Sequence, residues 1–169
     1  MASHTHQETK TARMNLSGGF TPEEVKNLSS VLNALLADVF ALYLKTKNFH
    51  WHVTGPHFRD YHLLLDEQAA ELFGLTDVIA ERVRKVGGNT IRSIGHIAKL
   101  QRIADNDQAF VDAREMLLEL QADNKALVES LRAAHEVTAK AHDFATTSMI
   151  EVWIDEAERR AWFLFQSAH

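Results

Sequence analysis

The chain contains no cysteine among its 169 residues. That absence excludes disulfides, thiolate zinc sites, iron–sulfur clusters and cysteine nucleophiles, so any metal must be held by nitrogen and oxygen ligands. Proline and glycine are also scarce, with two and seven residues. A sandwich or barrel needing a turn every ten or so residues is disfavoured, and long uninterrupted helices are left. No run approaches the roughly 18 consecutive apolar residues of a bilayer-spanning helix, and the polar start Met1–Asn15 has no signal-peptide core, so a cytoplasmic protein is expected. An excess of basic charge is missing too. Eighteen Lys and Arg stand against 23 Asp and Glu, a net charge of −5, which argues against a nucleic-acid platform on the body of the protein. With 46% hydrophobic and 24% charged residues, what is there reads as one compact domain. Ten histidines are the unusual feature.

Residues 1–19 read as a flexible tail rich in Ser, Thr, His and Gly, and residues 20–169 as the folded domain. Thr21-Pro22-Glu23-Glu24 is a helix start, with Thr21 as cap, Pro22 at the first helical position and two acids facing the positive helix end. Apolar spacing then predicts helices over Pro22 to about Phe49, His57 to Val86, Asp107 to Lys140 and Phe144 to Gln166. Gly55-Pro56 and Gly87-Gly88 punctuate the first two. The connection from Gly87 to Asn106 is long for a bundle, and Ile91, Ile94, Ile97 and Leu100 give it a short helix of its own. The expected fold is all-α, a four-helix bundle with a long crossover between its second and third helices.

Four histidines fall at positions 50, 52, 57 and 62. A lone histidine is usually a surface or satisfied core residue; the second helix changes that reading. At about 100° per residue, His62, Asp66, Asp77 and Glu81 lie at roughly 0°, 40°, 60° and 100°, one stripe offset from the apolar one. His62 and Asp77 are nevertheless roughly 22 Å apart along the axis, so the stripe holds two half-sites. The midpoint of 62 and 81 is 71.5, as is that of 66 and 77. Antiparallel packing of this helix against its copy across a two-fold axis would therefore bring His62 to the partner's Glu81 and Asp66 to the partner's Asp77. Ala69, Ala70, Phe73, Gly74 and Ala80 on or beside the stripe would permit close approach. A merely solvated polar face should carry Lys and Arg, yet residues 60–81 contain none. The mixed carboxylate and imidazole set suits Fe(II), Mn(II) or Zn(II). No glutamate is followed three residues later by histidine, so the Glu-x-x-His pairs of a di-iron site inside one bundle are absent and the metal belongs between subunits.

The run Lys47-Asn48-Phe49-His50-Trp51, with Gly55, Phe58, His62, Asp66-Glu67, Asp77 and Ala80-Glu81-Arg82, resembles the signature of the DNA protection during starvation proteins, called Dps or miniferritins. The resemblance implies a ferritin-like bundle and a dodecameric shell with ferroxidase centres at its two-fold interfaces. His50, His62 and Asp66 of one subunit, with Asp77 and Glu81 of its mate, are then the catalytic iron ligands. It further implies iron storage with protection against oxidative stress: oxidation of Fe(II), hydrogen peroxide being preferred to dioxygen, and ferric mineral kept inside. Zn(II) or Mn(II) are expected substitutes. Trp51 is a candidate electron donor to stray oxidants, or else an interface packing residue. Acidic three-fold pores in the family make Asp143 a candidate pore lining, its alternative being a helix N-cap. His52 and His57 match no ligand position, and His96, His135 and His142 receive no role. The competing readings are a nucleoid protein that structures DNA and a metal-free interaction module. Since Lys10 and Arg13 are the only Lys and Arg of the tail, DNA binding is expected to be weak or absent near neutral pH, and strengthened below about pH 6 if His4 and His6 protonate.

Overall fold

A computed structural model describes residues 19–169. The tail with His4, His6, Lys10 and Arg13 lies outside the described residues. Order along the chain begins where the local chemistry demands it. The Thr21 hydroxyl accepts from the Glu24 amide (3.2 Å) while the Glu24 carboxylate accepts from the Thr21 amide (2.7 Å), a reciprocal cap that starts α1, Pro22–His52. Val53 then leaves helical geometry, and Gly55 at φ 113° supplies the left-handed turn that sends α2, Phe58–Lys85, back along α1. Three elements follow: α3 at Ile94–Leu100, α4 at Ala113–Lys140 and α5 at Phe144–Ala168. The described residues are all-α, four long helices with α3 riding on α1 in the crossover.

The packing forms two tight pairs, α1 with α2 and α4 with α5, joined mainly through α1 and α4. Leu32, Leu35 and Leu42 of α1, Leu65 and Leu72 of α2, Leu117 and Leu120 of α4 and Ile150 and Leu164 of α5 are fully enclosed at their centre. Burial of each such side chain is worth about 1.5–3 kcal/mol before chain entropy is charged. By length and composition alone α1 is also long and apolar enough to cross a membrane. Its leucines are instead spent on this core.

The α2–α5 seam is held by polar contacts. Tyr61 donates to the Ser167 carbonyl (2.9 Å), Arg159 to Glu71 (2.6 Å), and Arg82 to Asp143 (2.5 Å) and to the Thr146 hydroxyl (2.6 Å). Asp38, wholly buried on α1, accepts from the Arg102 amide and guanidinium and from the Ile103 amide, and so ties the end of the crossover down.

Two sequence expectations change. The third long helix starts at Ala113 and not at Asp107. The Asn106 side chain accepts from the Gln108 amide, a local turn that competes with helix, and Asp112 caps α4 by accepting from the Arg114 amide. Phe110, within the helix expected from Asp107, lies instead in the loop before Ala113 and is 76% exposed. Leu44, Phe58 and Phe165 also sit at core spacing yet lie at the surface.

Candidate metal centre

The tight turn between α1 and α2 sets the last turn of one helix beside the first turn of the other, and His50 meets His62. The helix ends as the Val53 amide closes on the Phe49 carbonyl (2.8 Å), and the His50 carbonyl, one residue on, is left for a side chain. His62 Nδ1 lies 2.8 Å from that carbonyl, and His50 Nδ1 lies 2.8 Å from the His62 carbonyl. Carbonyl oxygens only accept, so both Nδ1 atoms carry hydrogen and donate. Each neutral ring thereby keeps its lone pair on Nε2, the tautomer needed for a metal ligand. The rings stack with centroids 3.8 Å apart and 23° between planes, and Phe58 leans on His62 at 5.0 Å.

Asp66, one turn beyond His62, completes this group: its Oδ1 is 3.8 Å from His50 Nε2. The same oxygen accepts from Lys47 Nζ at 2.7 Å. That hydrogen bond and the Lys47 charge hold the Asp66 carboxyl below the usual carboxylate range. Lys47 had no assigned role in the sequence, although it lies one turn before His50. Its ammonium shows that a cation is stabilised next to Asp66.

Asp77 and Glu81 stand further along α2, exposed, Glu81 paired only with Lys85 (3.1 Å) one turn on. They do not join the histidines within one chain. Among the described residues no group of three or more His, Asp and Glu is poised to hold a metal. The surface around both half-sites is apolar: Leu63, Phe73 and Val78 on α2 and Leu44 and Trp51 on α1 are 39–58% exposed. A Cβ added at Gly74 would touch nothing, and Asp77, Phe73 and Ala80 border a 710 Å³ groove closed on the far side by Ile91, Ile94 and Ile97. Ala70 shares this open face, whereas Ala69 is buried in the subunit's own core and cannot serve an interface.

Trp51 is 58% exposed with Lys47 Nζ 6.0 Å from its ring. Asp143 is only 2% exposed. Its carboxylate accepts from the Thr146 amide as the N-cap of α5 and from Arg82, so within the chain it acts as the helix cap. Arg82, adjacent to Glu81, fixes the C-terminal turns of α2 against the start of α5. His52 Nδ1 donates to the Asn48 carbonyl, and His57 leans on Tyr61. His135 contacts Glu151 at 3.1 Å, well apart in the fold from His50 and His62.

Residues 29–166 match the ferritin-like domain family. A DNA protection during starvation protein of Brevibacillus brevis is 33% identical over 79% of this chain and 89% of its own length. A low temperature-induced protein of Nostoc, itself uncharacterized, is 33% identical over 90% of this chain and 84% of its own. The crystal structure of a Dps protein from Bacillus brevis superposes with a TM-score of 0.84 at 30% identity, covering 88% of this chain and 99% of that one. The chain belongs to the ferritin-like superfamily and, within it, to the Dps family of miniferritins.

Proposed function

We propose that the protein oxidises Fe(II) at centres shared between two-fold related subunits and stores the ferric product as mineral inside a dodecameric shell, sparing DNA from peroxide damage. Each centre takes His50, His62 and Asp66 from one subunit and Asp77 and Glu81 from the other. The observation that carries this reading is the reciprocal pair of Nδ1–H bonds to the His50 and His62 carbonyls, which presents two Nε2 lone pairs beside the Asp66 carboxylate. The mirrored spacing of His62 and Asp66 with Asp77 and Glu81 about residue 71.5 supports the two-fold arrangement, as does the apolar surface around them.

The carboxylates neutralise and hold the incoming cation. The imidazoles complete its sphere without fixing a product that must leave for the cavity. Hydrogen peroxide is the preferred oxidant. Two Fe(II) supply two electrons to one peroxide, its O–O bond breaks to give two oxygens at the level of water, and no hydroxyl radical is released. Hydrolysis of the two Fe(III) to oxyhydroxide liberates protons to solvent. Trp51, exposed next to His50, is the candidate donor for an oxidant that escapes pairing. Zn(II) and Mn(II) would occupy the same ligands without this turnover.

The experiment is Fe(II) oxidation by peroxide, followed by absorbance, in the double variant His50→Ala, His62→Ala with its assembly verified. Loss of the fast phase is expected, and oxidation at the parent rate would place the chemistry elsewhere. A structure in which His62 and Glu81 of different subunits are not neighbours would remove the two-fold centre.

A further inference from the structure

The back of α2, turned away from the half-sites, meets a buried charge that the chemistry above does not use. Counted from His62 at about 100° per residue, Gln68 and Glu71 lie at roughly 240° and 180°, opposite the ligand stripe at roughly 0–100°. Both contact Arg160 of α5, the largest fully enclosed side chain among the described residues, 1% exposed. Arg160 Nε donates to the Asn124 side-chain oxygen on α4 (2.9 Å), its Nη1 faces Glu71 Oε2 at 3.5 Å, and its carbonyl accepts from Gln68 Nε2 (3.3 Å). Arg159 donates to the other Glu71 oxygen (2.6 Å) from the exposed side. One charge pair thus ties α2 to α4 and α5 beside 71.5, the midpoint of the four α2 ligands.

Stability does not account for an arginine at this place. Withdrawing a guanidinium from water is costly, and an apolar side chain of similar length would fill the same space without that cost. What a buried pair does restrict is geometry. Leucines repack when a helix turns by a few degrees, whereas Arg160 keeps its counter-charge at only one rotation of α2. We propose that Arg160 and Glu71 are positioning residues for the shared metal centre: they set the rotation of α2 about its axis, and with it the angle at which His62 and Asp66 at one end, and Asp77 and Glu81 at the other, face the partner. The proposal rests on the two-fold reading above. A turn of about 10° swings a side-chain end about 5–6 Å from the helix axis by about 1 Å. Metal–ligand distances tolerate only about 0.2 Å. Each centre draws ligands from two copies of α2, so the error enters twice. A lock at the midpoint serves both half-sites equally, whereas the Arg82–Asp143 pair lies at the Glu81 end and governs that end first.

The test compares the full-length parent with Arg160→Met, in which Glu71 keeps Arg159, and with the double replacement Arg160→Met, Glu71→Leu, in which both charges give way to apolar side chains. Circular dichroism reports folding and the unfolding midpoint. Co(II) titrated by calorimetry reads the centre without turnover, and Fe(II) oxidation by peroxide gives half-saturation and maximal rate separately. The double replacement is expected to unfold at or above the parental midpoint, to bind Co(II) roughly tenfold or more weakly and to need correspondingly more Fe(II) for half-saturation, with the maximal rate within about threefold. Arg160→Met should show the same weakening of Co(II). Parental Co(II) affinity in either form that folds overturns the proposal. If neither form folds, the pair serves stability and the proposal is overturned as well. The control His50→Ala, His62→Ala separates the two levels: if it binds Co(II) as tightly as the parent, the shared centre itself falls, whereas loss of Co(II) there with none in the Arg160 forms removes the positioning role alone.

Discussion

Lys47 holds the same carboxylate that an incoming Fe(II) would need. Its Nζ is 2.7 Å from Asp66 Oδ1. Replacing it by methionine keeps much of the side-chain volume and removes the competing cation, so Lys47→Met should lower the Fe(II) concentration giving half-maximal oxidation by roughly a few-fold, the scale of an exposed ion pair. The same pair sets the behaviour of Asp66 with pH. A carboxyl depressed by a cation contributes its interaction above the unfolded value of about 3.9 and loses it as pH falls through the lower folded value. Asp66 therefore stays anionic across the neutral and mildly acidic range. An NMR titration of its carboxyl carbon should show a midpoint below about 3.9 that moves upward in Lys47→Met; an unchanged midpoint would mean that Lys47 does not control this group. Gly88 is a different kind of residue constraint. A Cβ there would lie 1.8 Å from Ser29 Oγ and 2.8 Å from Ser29 Cβ, where the exit of α2 crosses α1. Gly88→Ala should cost about 1–3 kcal/mol, read as a lowered midpoint of thermal or urea unfolding, and adding Ser29→Ala should rescue only part of the loss because the Ser29 Cβ remains in the way.

At the scale of elements, Arg82 and Asp143 fasten the turn of α2 that bears Glu81 to the start of α5. Arg82→Ala leaves a carboxylate 2% exposed without its charge partner. A loss of about 2–4 kcal/mol is expected, moderated by the bonds from Thr146 that remain. If the clamp also positions Glu81, half-saturation by Fe(II) should rise more than the maximal rate falls. These elements were not equally legible in the sequence. The start of α1 could be read residue by residue, because Thr21, Pro22 and Glu24 act within one turn and need nothing from the rest of the chain. The placement of His50 beside His62 was not a matter of spacing on α2 and came from the family signature; the structure adds the carbonyl contacts that select the tautomer. The start of α4 is ambiguous in the sequence because Asp107 and Asp112 are equally good caps, and what decides between them is a turn made by Asn106. The role of Lys47 has no local signal, because its partner is 19 residues away on another helix. Arg160, enclosed at 1% exposure with its Nε donating to Asn124, has no sequence signal, since arginine at that spacing reads as surface.

For the whole molecule, charge governs what can approach. Twelve chains would carry twelve times −5, a field that draws cations and opposes polyanions over most of the surface. DNA retention should be weak, and a gel shift at low salt and about pH 8 is expected to show little bound; tight binding there would mean that Lys10 and Arg13, multiplied by assembly, outweigh the body. The rigidity of α2 has a consequence for a cell making the protein. One unbroken helix, Phe58–Lys85, keeps His62 and Glu81 too far apart ever to grip the same ion. If the centre is shared as proposed, a newly released chain, or one shed from a damaged assembly, would be slow to oxidise iron with peroxide. Reactivity would switch on only with a mate in place, so that the dangerous chemistry never runs ahead of the container meant to receive its product.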